Sequence, residues 1–252
     1  MVAARQHTGT ISCLDAGADG TTILTGSSDG TLAVWQLYGE KGPAAGAAPR
    51  VVHTLCAHLG PVLCAALSTQ LDLALSAGEI DEAEGGGGGG GGEGRCAVWS
   101  VSNGRFVRWL AVPASPTSLC VSHSGNGLVV SCAAGGGAAG GTLCLFSING
   151  VPLARVALGA PLGRVIATRD GSAIVASGGA AVTVRRLHDL ELLHAYEIHG
   201  GAAAAAGICA LSLCSENHHA FVGTEDGGFR ILANPIVNIA VLEQIAGELL
   251  NL

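Results

Sequence analysis

Charge is scarce in this chain. Asp, Glu, Lys and Arg supply 12% of its 252 residues, about half the usual share. The 12 basic residues are scattered through a sequence of formal net charge −7. No Lys/Arg stripe stands ready to neutralise phosphates, which argues against nucleic acid as a partner. Aromatic residues are scarcer still, at 4%. No apolar stretch reaches the ~18 residues of a membrane-spanning helix, and Met1 to His7 lacks the apolar core of a secretory signal. Nine cysteines occur without a single Cys-x2-Cys pair. Most sit inside apolar runs, as Cys13, Cys64 and Cys144 do, where a free thiol behaves as a small hydrophobe. An odd count without a signal points to a reducing compartment. The chain is expected to be soluble and cytoplasmic.

What is abundant is glycine, 40 residues of it, together with alanine, and both swell connections while sparing a strand pattern. That pattern recurs. In its first copy His7 leads through Ile11/Cys13, Ile23/Thr25 and Leu32/Val34, three short runs with the period-2 alternation of half-buried strands. Ala18-Asp19-Gly20 and Ser28-Asp29-Gly30 separate them as hairpin turns, with glycine at the position that needs positive φ. Trp35 closes the copy. The second copy keeps His58, Ser76 and Trp99, and its second turn is inflated by Asp81-Glu82-Ala83-Glu84 and the run Gly85 to Gly92. Asp81 is the favoured turn aspartate, with Glu79 competing. The third has no such histidine, carries a Gly/Ala insert from Ala133 to Gly141, and ends on Phe146. In the fourth the second turn is short, and either Arg185 or Leu187 takes the tryptophan slot. The fifth ends on Leu232. Taking Arg185, the closing residues are spaced 64, 47, 39 and 47 apart, and the glycine insert accounts for the long first interval.

A histidine, two turns and a terminal tryptophan in this order resemble the WD40 repeat, each copy of which builds one four-stranded propeller blade. The resemblance implies an all-β fold, a WD40 β-propeller of about five recognisable blades over residues 1–233, with inserts at 82–94 and 133–141. Seven blades are commonest in that family, so the five are expected to be part of a seven-bladed ring, with further blades or domains upstream. It also implies that a His, a Ser/Thr, the turn Asp and the Trp form a buried hydrogen-bonded tetrad. The matching residues are His7, Thr25, Asp29 and Trp35 in the first copy, and His58, Ser76, Asp81 and Trp99 in the second. After the last copy, Asn234-Pro235 reads as a helix start. Ile236, Ile239, Leu242, Ile245, Leu249 and Leu252 then mark one apolar face, so residues 234–252 are expected to form an amphipathic helix, docked on the propeller or reserved for a partner.

The segment from Gly141 to Arg155, with Phe146-Ser147-Ile148-Asn149-Gly150 at its centre, is similar to the propeller of BEACH-domain proteins of the neurobeachin type. So is the run from His58 to Ser76, with its Leu71-Asp72-Leu73. This resemblance covers roughly residues 7–233 and implies a large cytosolic scaffold of vesicle traffic, touching membranes only indirectly through upstream domains.

Candidate chemistry is sparse. Neither glycine run carries the Gly-Lys-Ser/Thr ending that a phosphate loop needs, so both read as inserts. His218-His219 and His194/His199 lack Cys or acidic partners at ligand spacing and read as exposed loop, while His7 and His58 read as core histidines. The acidic tip at Asp81 to Glu84 could hold Ca²⁺ or a basic partner but reads first as solvated. No Gly-x-Ser-x-Gly elbow frames a nucleophile. No catalytic, cofactor or metal residue is therefore assigned. The leading expectation is a non-catalytic protein-interaction platform. A generic WD40 adaptor (a ubiquitin-ligase substrate receptor or signalling scaffold) is the alternative, and a propeller enzyme is third. Partners are expected to be proteins, met at the loops leading into each blade: Gln6 to Gly9, Ala57 to Gly60, Pro113 to Thr117, Ala160 to Arg164 and Gly200 to Gly207.

Overall fold

A computed structural model of the protein describes residues 5–38, 49–78, 94–122, 124, 127–133, 140–198, 207–214 and 216–233. These residues form five antiparallel sheets in chain order. The first contains β1 (Ile11–Ala16), β2 (Thr22–Ser27), β3 (Thr31–Gln36) and β4 (Arg50–Cys56). The second contains β5 (Val62–Ser68), β6 (Leu73–Gly78), β7 (Gly94–Ser100) and β8 (Phe106–Val112). The third contains β9 (Pro116–Ser122), β10 (Gly127–Cys132), β11 (Thr142–Ser147) and β12 (Pro152–Ala157). The fourth contains β13 (Leu162–Ala167), β14 (Ala173–Gly178), β15 (Ala181–Arg186) and β16 (Leu192–Glu197). Three strands make up the fifth: β17 (Ile208–Leu213), β18 (His219–Thr224) and β19 (Phe229–Ala233). No helix occurs among the described residues. The expected C-terminal helix, residues 234–252, lies outside them, as do Glu79, Asp81 and the run Gly85 to Gly92.

Each sheet is an up-and-down meander, and the sheets stack face to face. Strand β1 packs beside β5, β5 beside β9, β9 beside β13, and β13 beside β17, so the first strand of every sheet is innermost and the fourth outermost. This is the blade arrangement of a β-propeller. Stacking corrects one expectation. The middle strands are not half-buried: β6, β10 and β14 are covered on both faces by neighbouring blades, and β2 is buried along nearly its whole length. Thr25, Ser27 and Ser76 are accordingly buried. Alternation survives on outer strands such as β4 and β12.

The core is a series of interblade layers. Leu24, Leu32, Val34 and Leu55 of the first blade meet Ala97 and Trp99 of the second. Leu75, Val98 and Leu110 of the second meet Leu128, Val130 and Phe146 of the third. Val129, Leu143 and Leu145 meet Ile174 and Leu187 of the fourth. All nine cysteines are free, and five of them are buried. Burial pushes the thiols of Cys64 and Cys120 up to about 12, as expected where desolvation penalises the thiolate.

One insert boundary is also sharpened. Gly94, expected in the first insert, is the opening residue of β7. A Cβ there would stand 2.0 Å from the Ala114 carbonyl oxygen, so the close backbone approach leaves no room for a side chain. His194 and His219 are exposed but lie on β16 and β18, not in loops.

Candidate functional site

In the first and fourth blades, where both are described, the leading loop and the second turn share one end of the structure, because strands alternate in direction. The first blade shows how they are fastened. Trp35 Nε1 donates to Thr25 Oγ1 at 2.8 Å, and Thr25 Oγ1 lies 2.7 Å from His7 Nε2. His7 Nδ1 lies 3.0 Å from Thr31 Oγ1, which donates to Asp29 Oδ1 at 2.6 Å. A hydroxyl that accepts from the indole has one proton left to give. That assigns Nε2 of His7 as acceptor and its Nδ1–H as donor, and the bonds run one way from Trp35 to Asp29.

Asp29 is the clamp. Its Oδ2 accepts from the backbone N–H of Thr8 at 2.8 Å and of Gly9 at 3.4 Å, while Oδ1 accepts from the Thr31 N–H at 3.0 Å. Desolvation opposes ionisation, but the Thr31 hydroxyl and these N–H groups outweigh it and hold the carboxyl well below the usual range. Gly30, at φ 82°, makes the turn. A Cβ on it would come within 2.7 Å of the His58 carbonyl oxygen, so the turn also seats the next blade's leading loop.

The second blade repeats the inner half of this arrangement. Trp99 Nε1 donates to Ser76 Oγ at 2.9 Å, and Ser76 Oγ lies 2.8 Å from His58 Nε2. Burial lowers the His58 pKa, which keeps the ring neutral near pH 7. Its plane covers Gly78, where a Cβ would sit 2.7 Å from the ring. The fourth expected member, Asp81, lies outside the described residues.

Blades three to five are built otherwise. Trp35 is paired across the ladder with Ile23 and Trp99 with Ala74. The same register places Phe146 opposite Leu128, Arg185 opposite Ile174 and Leu232 opposite Ala220. Arg185, not Leu187, therefore occupies the tryptophan slot. The position two residues on, filled by Thr25 and Ser76 in the first two blades, holds Val130, Ala176 and Val222. The acceptor hydroxyl thus disappears together with the indole that needs it. In blades three and four a serine appears one residue later, on the other face, and serves the inner strand. Ser131 Oγ lies 2.7 Å from Thr117 Oγ1, and Ser177 Oγ accepts from the Arg164 N–H at 2.9 Å. Arg185 is buried, donates to the Leu190 carbonyl at 2.8 Å, and leaves Nε without a partner.

Several residues of consequence were not singled out in the sequence. Thr31 links His7 to Asp29. Asp15 of β1 accepts from the Leu67 N–H at 2.7 Å and so ties the first two inner strands together. Desolvation raises its pKa despite that bond. Asp72, at φ 55°, gathers the hydroxyls of Ser100 and Ser102 at 2.6 and 2.8 Å. Phe106 and Trp109 of β8 join Trp99 and His58 in a chain of ring contacts. The one available signal was that Trp109 is the single tryptophan of three that falls outside the repeat positions. Among the described residues no three His, Cys, Asp or Glu stand together as metal ligands would, and no helix is long and apolar enough to cross a membrane.

Comparison with known proteins supplies the context for this geometry. The WD40 family (WD domain, G-beta repeat) matches residues 3–36. BEACH domain-containing protein B of Arabidopsis thaliana is 26% identical over 92% of the chain, which spans 9% of that protein. BEACH domain-containing protein A2 of the same plant is 28% identical over 56% of the chain, and Protein SPIRRIG is 31% identical over 57%. The chain spans 3% of each of these two. It corresponds to under a tenth of the length of these curated relatives.

Proposed function

We propose that this chain, a WD40-repeat β-propeller resembling BEACH domain-containing proteins, is a non-catalytic platform on which other proteins dock within a vesicle-trafficking scaffold. The observation that carries the reading is similarity along 92% of the chain to a BEACH domain-containing protein. WD40 propellers in general bind other proteins, and the structure is consistent with that use. The repeat-defining polar residues are consumed in fastening loops to turns: His7, Thr25, Asp29 and Trp35 in one blade, His58, Ser76 and Trp99 in the next. We assign them a structural role. They hold one end of these two blades rigid, and rigid loops lose little entropy when a partner binds. On this reading the protein works in the cytoplasm, meets membranes only through other domains, and shares its ring with further blades. Exposed Ile11 and Leu14 on β1, and Phe229 and Ile231 on β19, favour such additional packing.

Proximity labelling with the tagged protein tests this. Enrichment of vesicle-coat and tethering components is the expected result. Recovery of ubiquitin-ligase subunits in their place would move the protein to the WD40-adaptor alternative. Reading the transcript upstream of the Met1 codon adds an independent arm: a BEACH domain in frame supports the scaffold, and an F-box there supports the adaptor.

A further inference from the structure

The outer wall of the second blade differs from the outer strands of the other described blades. Outer strands β4, β12 and β16 each expose one large apolar side chain: Val52, Leu153 and Leu192. Strand β8 exposes three, with Phe106 and Val107 at 43% and Trp109 at 42%. Phe106 is paired with Trp99 and Trp109 with Ala97, so both aromatics stand on the face turned toward the first blade. They are held in place by ring contacts. Phe106 lies 5.2 Å from Trp109 and 5.6 Å from Trp99, and His58 packs edge-on to Trp109 at 5.8 Å. Since His58 is itself fixed by Ser76, the wall is rigid, half sunk and apolar.

Its charge is equally distinctive. The chain carries a net −7, yet β4, β5, β7 and β8 contain no Asp or Glu, and the one acid among the described residues of the second blade, Asp72, is tied to Ser100 and Ser102. These strands and the turn before β8 contain Arg50, Arg95, Arg105 and Arg108. Arg108 points to the third blade, where it donates to the Asn149 carbonyl. Arg95 lies on the aromatic face: it is paired with Ala111, two residues from Trp109, so the two are diagonal cross-strand neighbours. It is exposed and has no acidic partner among the described residues. Arg105 lies at the turn that opens β8, and Arg50 begins the facing strand β4. Strand β8 pairs only with β7 among the described residues, which leaves its outer backbone groups available to an added extended segment.

We propose that this wall is the docking surface for an acidic peptide carrying one aliphatic or aromatic anchor. The anchor packs on Trp109 and Phe106, and carboxylates flanking it meet Arg95 and Arg105. Tryptophan and arginine are the residue types that most often dominate interface energetics, and a rigid wall spares a partner much of the ordering cost. An anionic membrane fits less well, because the net charge of the whole chain repels it at long range. The inference rests on the platform reading and gives it one address and one partner chemistry.

An immobilised array of heptapeptides tests it with the 252-residue chain. The central residue is Leu, Phe or Ala, and the flanks are acidic, amide or basic. Acidic flanks around Leu or Phe are expected to retain about ten-fold more protein than amide flanks, with Ala at the centre abolishing retention. Trp109→Ala and Arg95→Gln should each reduce retention about ten-fold. Should Trp109→Ala lower the melting midpoint, Arg95→Gln decides, since that side chain is exposed. Equal retention on amide and acidic flanks overturns the proposal, as does a blank array with binding to phosphatidylserine vesicles. Retention that ignores both substitutions also overturns this site while leaving the platform reading standing, which proximity labelling judges separately.

Discussion

The first two blades and the last three solve the same packing problem with different chemistry. In blades one and two a tryptophan fills the interblade slot, and a buried hydroxyl, Thr25 or Ser76, accepts its indole proton and engages a histidine. In blades three to five the slot holds Phe146, Arg185 or Leu232, and the partner position is Val130, Ala176 or Val222. Leaving a buried indole N–H unpaired costs free energy, and so does burying a hydroxyl with nothing to bond. The two positions therefore change together. What is lost is the link from slot to leading loop, so the polar fastening is concentrated where the aromatic wall of β8 also stands.

The comparison is broken most forcefully at the slot. Trp99→Ala should cost about 3–5 kcal/mol, whereas Leu232→Ala, at a half-buried site, should cost about 1 kcal/mol. Urea unfolding of both variants decides, and equal losses would mean that the blades do not differ in this way. At the next level Ser76→Ala should cost about 1–3 kcal/mol, because Trp99 and His58 lose their common partner. The converse uses the third blade. Val130→Thr alone should destabilise, and adding Phe146→Trp should recover part of the loss. A double-mutant cycle with no coupling would show that the pair does not work as a unit.

Proton linkage sharpens the contrast between buried and fastened groups. The thiols of Cys64 and Cys120 are raised to about 12 by burial. Their contribution is complete below the unfolded value near 9 and is lost as pH climbs from there toward 12. His58 acts with the opposite sign. Burial lowers its pKa, so its contribution is present above the unfolded value near 6.5 and is lost as pH falls through the depressed folded value. Denaturant midpoints should accordingly fall on both sides of neutrality. Cys64→Ala should flatten the alkaline limb, and an unchanged limb would remove the thiols from the account.

Smaller effects follow in the fourth blade and the first insert. Arg185→Met removes a buried charge whose Nε has no partner, so it should be neutral or stabilising by about 1 kcal/mol. A large loss in calorimetry would show that the guanidinium is better satisfied than its one bond to Leu190 suggests. Deleting Gly85 to Gly92 roughly halves the connection between β6 and β7. It should shift stability by only about 0.6 kcal/mol, and a larger shift would mean that the run packs.

Much of this was legible in the chain itself. His7, the turns at Gly20 and Gly30, and Trp35 could be read because strand period and turn chemistry are local, set within a few residues of each other. The glycines at both turns do adopt positive φ, at 67° and 82°. Arg185 against Leu187 was not legible, because the fourth blade's second turn is only two residues long and repeat spacing alone does not fix register. Ladder pairing with Ile174 does. Nor did sequence alternation reveal that Leu24, on the opposite face of β2 from Ile23 and Thr25, is buried as well. A strand covered on one face and a strand covered on both carry similar patterns when small polar residues find partners inside.

The sequence by itself determined that this is a propeller of repeated blades, where its turns lie, and which histidines and tryptophans mark them. Tertiary structure decided which residue fills each slot and that a hydroxyl accompanies only the tryptophans. It also decided that Phe106, Trp109, His58 and Arg95, up to 51 residues apart in sequence, share one wall. Local periodicity records how a strand pairs with its neighbour. Which faces meet is set by the stacking of whole sheets, a contact between residues too distant for any short pattern to encode.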